Sequence, residues 1–141
     1  MLRLAIASDI PEIQRIRHSV RENRLVSTVI RDRDVQEAIE SRGRGWVVEL
    51  SGELVAFAIG DAQSGNIWAL FVHPDHQGKG FGRQLHDAML DWLWSQDLDH
   101  LWLTTEPRTR AQRFYESAGW QLVGPAENGE LRYEMRRQKA G

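Results

Sequence analysis

Apolar positions along the chain follow two different periods. Ile10, Ile13, Ile16 and Val20 recur at three- and four-residue steps, which predicts an amphipathic helix. Asp9 with Glu12 reads as a capping box for it, and Pro11 stands in the first turn, where a missing N–H is tolerated. A second helix is expected from Asp32 or Arg33, turning Val35, Ala38 and Ile39 inward and stopping at Gly43. Residues 2–6 read as a short strand before both.

The period then shortens. Trp46–Leu50, Leu54–Ile59 and Ile67–Val72 read as three strands joined by the turns Ser51-Gly52 and Gln63-Ser64-Gly65, hence an antiparallel meander. The third is apolar on both faces, as a central strand covered on both sides would be. A long helix is predicted from about Gly80 to Ser95, with Phe81, Leu85, Ala88, Met89 and Trp92 as its buried stripe. Leu101–Thr104 is the next strand, and strand, helix, strand in this order imply a parallel crossover. Thr109 with Gln112 forms a second capping box, opening a short helix with Ala111, Phe114, Tyr115 and Ala118 on one face and Gly119 at its end. Trp120–Val123 and Leu131–Met135 close the chain as a strand pair around Asn128-Gly129. The expected class is α/β with a mixed sheet, in the order β-α-α-β-β-β-α-β-α-β-β.

Composition narrows the choice. At 141 residues the chain is expected to form one domain, residues 1–141. Eighteen basic and 20 acidic residues leave a formal charge of −2, which gives no footprint for generic nucleic-acid binding. The longest apolar runs, Leu54–Ile59 and Ile67–Val72, are six residues each, against roughly 20 for a membrane span. The first six residues show no long apolar core or cleavage site, so no secretory signal is expected. With no cysteine there is neither a disulfide nor an enzyme-bound thioester, a composition compatible with a reducing cytoplasm. The five histidines form no zinc signature, and no metal is expected. Six tryptophans are many for this length; most should be core, with one or two lining a pocket or an interface.

Leu70 to Arg83 carries the chemistry. A strand ends at Pro74, and glycines at 78, 80 and 82 run into a helix. A helix N-terminus leaves about four N–H groups unpaired and carries partial positive charge. Glycines let a ligand approach those amides, which suits a phosphate or pyrophosphate. Lys79 and Arg83 add formal charge. The order Gly-Lys-Gly is wrong for a P-loop, and the glycine spacing is wrong for a dinucleotide fingerprint.

Gln77, Gly80 and Gly82, as Gln-x-x-Gly-x-Gly just after Val72-x-Pro74, resemble the acetyl-CoA motif of the GNAT N-acetyltransferase superfamily. The segment Thr109–Trp120, with Phe114-Tyr115 and a Gly119-Trp120 exit, resembles that family's later helix, and the element order agrees along almost the whole chain. The resemblance implies acetyl-CoA as co-substrate. It implies pantetheine beside Leu70, Phe71 and Val72, and pyrophosphate on the amides from Gln77 through Gly78, Lys79, Gly80, Phe81 and Gly82 to Arg83. It also implies Tyr115 as the group facing the thioester sulfur and the acid of the reaction.

An ammonium of pKa about 10.4 leaves about one molecule in a thousand neutral near pH 7, a cost of roughly 4 kcal/mol that a base can lower. Where some relatives carry a glutamate six residues before Val72, this chain has Asn66, which cannot take a proton. His18 and Glu22, at the end of the first helix where the family builds its acceptor pocket, are the candidate substrate residues. His73 and His76 read as loop residues, and Arg108, Arg110 and Arg113 as a basic face from which Arg108 or Arg110 could meet phosphates. Arg108 stands where the family often has Asn. The expected activity is acetyl transfer to a primary amine, on a small molecule or a protein N-terminus or lysine, by direct attack in a ternary complex. A non-catalytic acyl-CoA-binding or sensor domain is the alternative. A partner-binding module is a third reading, and a homodimer is compatible with the sequence.

Overall fold

A computed structural model describes residues 1–20 and 29–137. The elements are β1 (Leu2–Leu4), α1 (Ile10–Ser19), α2 (Asp32–Glu37), β2 (Gly43–Leu50), β3 (Glu53–Asp61), β4 (Asn66–Val72), α3 (Phe81–Trp94), β5 (His100–Thr105), α4 (Arg110–Ser117), β6 (Gln121–Pro125) and β7 (Leu131–Arg136). They form a mixed α/β fold in the expected order. One 7-stranded sheet runs β1-β2-β3-β4-β5-β7-β6. β2, β3 and β4 are the antiparallel meander, and β4 pairs with β5 in parallel.

Two apolar layers cover the sheet. α1 turns Ile10, Ile13 and Ile16 onto Val47, Phe57 and Ile59, with Val35, Ala38 and Ile39 beside them. On the other face α3 turns Leu85, Met89 and Leu93, each 0% exposed, onto Val55, Ala58 and Leu101. Each such side chain stabilises the fold by about 1.5–3 kcal/mol. The α3 stripe is shifted from the expected one. His86, Leu90 and Leu93 are buried, while Phe81, Ala88 and Trp92 pack at its margin.

Local chemistry sets the boundaries. α2 passes into a wide π turn, Ala38–Arg42, and the chain enters β2 at Gly43. A β-carbon there would meet Gly60 O at 1.8 Å, so only glycine lets β2 lie this close to β3. The expected Asp9–Glu12 box does not form. Asp9 instead accepts from the Ile6 N–H at 2.9 Å and pairs with Arg3, whose guanidinium holds its carboxyl below the usual range. Glu12 accepts from the Leu54 N–H at 3.0 Å, tying α1 to β3. Asp9 is taken by a charged partner, which outcompetes the α1 amides, and Glu12 by a backbone amide of the neighbouring strand.

Candidate active site: an opened sheet with two facing carboxylates

β4 carries the feature that makes the site. Ile59 pairs with Ala69 and Gly60 with Ile67, so Trp68 has no counterpart on β3. This bulge breaks the alternation: Ile67 faces the α3 layer, Trp68 and Ala69 both face the α1 layer, and Leu70 returns to the α3 layer. A bulge bends a strand and re-aims its side chains. Here β4 and β5 are in register only at Asn66 and Trp102. Asn66 pins that point, donating from Nδ2 to Trp102 O at 3.2 Å. Beyond it the strands diverge around a cleft of about 650 Å³.

Leu70, Phe71 and Val72 form one wall of the cleft, and Thr104, Thr105 and Glu106 form the opposite wall. The glycine turn closes one end. Gln77, Gly78, Gly80, Phe81, Gly82 and Arg83 all line the cleft. Gly80, the residue before α3, has φ +87°, and a β-carbon on it would meet nothing within 4 Å. The first amides of α3 therefore open on free space, as an anion site needs. A β-carbon on Gly78 would sit 3.7 Å from Arg110 Nη2, which places that guanidinium over the turn. Lys79 stays outside the lining; its Nζ is 3.2 Å from His76 Nδ1, and His76 does line the cleft. His73 is a loop residue, with Nδ1 accepting from the Asp75 N–H.

Tyr115 lines the cleft from the α3 face of the sheet. Its helix is held at both ends. Thr109 Oγ1 accepts from the Gln112 N–H at 3.2 Å. The Gln112 carboxamide accepts from the Arg108 N–H at 2.6 Å rather than from the Thr109 N–H, so the box closes one residue early. That geometry puts Arg108 at φ +61°, a conformation Asn tolerates better than Arg. Gln112 Nε2 donates to Tyr133 Oη at 2.9 Å, and Tyr133 donates to Glu116 at 2.6 Å, fixing α4 to β7. Tyr115 is 6% exposed and packs edge-on against Trp120 and Phe114. Burial alone pushes its phenol well above the ordinary value, and its hydroxyl bonds to no described residue. The ring is buried while the residue lines the cleft, which leaves the hydroxyl to a ligand there.

The acceptor candidates fare differently. His18 is exposed on the last turn of α1, while its neighbours Arg17 and Val20 line the cleft. Glu22 lies outside the described residues. Three cleft residues have no signature in the sequence: Arg17, Glu106 and Glu130. Glu130 precedes β7 and accepts from Thr104 Oγ1 at 3.1 Å, a contact across 26 residues. Burial, with the Glu106 charge adding to it, raises its carboxyl above the usual range despite the Thr104 hydrogen bond. Among the described residues no group of three or more His, Asp or Glu is placed to hold a metal, and no helix is long and apolar enough to cross a membrane.

The model of the acetyltransferase (GNAT) family matches residues 8–120, which include the bulge, the glycine turn and the Tyr115 helix. The chain belongs to this family. A mycothiol acetyltransferase of Beutenbergia cavernae is 36% identical to this GNAT over 84 residues. That match covers 55% of the chain but only 28% of the relative. The ribosomal-protein-S18-alanine N-acetyltransferase of Escherichia coli superposes with a TM-score of 0.78 at 20% identity, over 100% of this chain and 96% of that one. The PaiA N-acetyltransferase of Thermoplasma acidophilum, solved with coenzyme A, superposes at 0.82 and 11% identity, over 97% and 98%. At these identities the two structures establish the shared fold.

Proposed function

We propose that residues 1–141 act as one catalytic domain that moves the acetyl group of acetyl-CoA to a primary amine by direct attack in a ternary complex. The observation that carries this reading is the gap between β4 and β5, ending on the open amides before α3. The free edge of β4 at Leu70–Val72 offers backbone donors and acceptors to an extended pantetheine arm, and the glycine turn offers amides to its pyrophosphate. Acetyl-CoA bound there supplies an activated acetyl carbonyl.

The chain's own residues then have defined tasks. β4 amides facing the gap stabilise negative charge on the carbonyl oxygen. Tyr115 donates its O–H to the departing sulfur. Because burial raises the phenol, Tyr115 stays protonated throughout the working pH range, so it is always a donor. The same desolvation raises the thiol, so the two values move together. Asn66 takes no proton, since a carboxamide is not basic, and its Nδ2 donates to Trp102 O instead.

An initial-rate matrix of acetyl-CoA against an alkylamine, followed by CoA release, tests the order of events. Intersecting lines are expected. Parallel lines with an isolable acetyl-enzyme would refute direct attack.

A further inference from the structure

We infer that Glu130 is the residue that receives the acceptor's ammonium and takes its proton, which makes the natural acceptor an amine that arrives charged. This rests on the acetyl-transfer reading above.

Leu103 packs in the α3 layer with Tyr115, so the adjacent Thr104 projects from the opposite face of β5. Thr104 holds Glu130 by its hydroxyl, so Glu130 sits on the α1 face of the same cleft. Glu130 and Tyr115 therefore flank the β4–β5 gap from opposite faces of the sheet. The amine adds to one face of the planar thioester and the sulfur then leaves from the tetrahedral carbon, so the group that takes the amine's proton and the group that protonates the sulfur must stand at different places around that carbon. A base on one face and a donor on the other match that demand.

Its charged surroundings fit the task. Glu106 faces Glu130 from beyond the end of β5 and disfavours its charged form. On β7, Arg132 is engaged with Glu134 at 3.0 Å and stacks over Trp102, leaving the Glu130 carboxylate to a ligand and Thr104. Arg17 is the cation entering from α1, and Arg110 stands at the pyrophosphate end. A carboxyl raised by burial is a stronger base than an ordinary one, which narrows the gap to an amine.

The proton balance closes. The ammonium gives one proton to the Glu130 carboxylate. The neutral nitrogen forms the C–N bond, and the C–S bond breaks with its electron pair on sulfur. Tyr115 protonates that sulfur, and the second nitrogen proton restores the phenol. The proton on Glu130 returns to water, so each turnover yields amide, thiol and one released proton.

Two probe amines separate this role from a structural one: ethylamine, protonated at pH 7, and hydroxylamine, already neutral there. Glu130→Gln keeps an acceptor for Thr104 but no basic oxygen. The variant is expected to lose about 30-fold or more in kcat/KM for ethylamine at pH 7, while hydroxylamine stays within about threefold, and the ethylamine deficit should shrink as pH rises. Thermal stabilisation by acetyl-CoA should be unchanged. Equal losses for both amines, or no loss for ethylamine, would overturn the inference. If the wild-type enzyme acetylates neither amine, the acetyl-transfer reading itself fails.

Discussion

Tyr115→Phe isolates one oxygen atom of a residue that lines the cleft. The ring, its edge contacts with Phe114 and Trp120 at 5.4 and 6.0 Å, and the carbonyl that accepts from the Trp120 N–H are all retained. The lost hydroxyl has no partner among the described residues, and burial is what raises it, so its removal breaks no hydrogen bond among those residues. Losing a cleft-lining hydroxyl that no described residue bonds is close to neutral, within about 1 kcal/mol. Catalysis is the opposite case. The leaving thiolate would depart into a desolvated cleft with no donor, and loss of a positioned acid costs about 10- to 10³-fold in rate, or roughly 1.4–4 kcal/mol. The assay is kcat with ethylamine at saturating acetyl-CoA, beside the melting temperature and the CoA dissociation constant. The expected pattern is a low kcat with the other two unchanged. A kcat within about twofold of wild type, or a lower melting temperature, would return Tyr115 to the core and leave the thiolate to solvent.

Two further outcomes follow from the geometry. Gly80→Ala places a side chain at φ +87°, at a cost of about 1–2 kcal/mol of stability, and sets a methyl group in front of the α3 amides. It should also reduce the acetyl-CoA-induced rise in melting temperature, and an undiminished rise would put the anion elsewhere. His86 accepts the Trp120 indole N–H on Nε2 at 3.0 Å and bonds Asp87 through Nδ1, so it folds neutral, and burial lowers its pKa. Its folded value lies below the unfolded value of about 6.5, so its contribution is complete above that pH and declines as pH falls through it, by up to about 1.4 kcal/mol per unit. Urea titrations between pH 7.5 and 5.5 should show this decline, and His86→Gln should flatten it; identical slopes would remove His86 as the cause.

The sequence made legible whatever a local pattern determines. The isoleucine stripe of α1, the change to strand period after Gly43, and the glycine turn opening α3 each depend on neighbours a few residues apart. Tyr115 was reachable because its helix is short and marked by Thr109 and Gly119. Partnerships across the sheet were not legible. Asp9 and Glu12 have the spacing of a capping box, yet Arg3 and the Leu54 amide claim them. The Trp68 bulge leaves no mark in an unbroken apolar run, because it exists only as a count against β3. Glu130 reads as an ordinary residue after an Asn-Gly turn until folding brings Thr104 to it.

The most direct test of the account is stoichiometric. Acetyl-CoA and ethylamine are incubated with the protein, and N-acetylethylamine and free CoA are quantified in the same samples. Equal amounts of both are expected, formed at a rate that saturates in each substrate. Acetyl-CoA that raises the melting temperature yet yields no amide above the enzyme-free background would contradict it, and would identify the cleft as a binding site without catalysis.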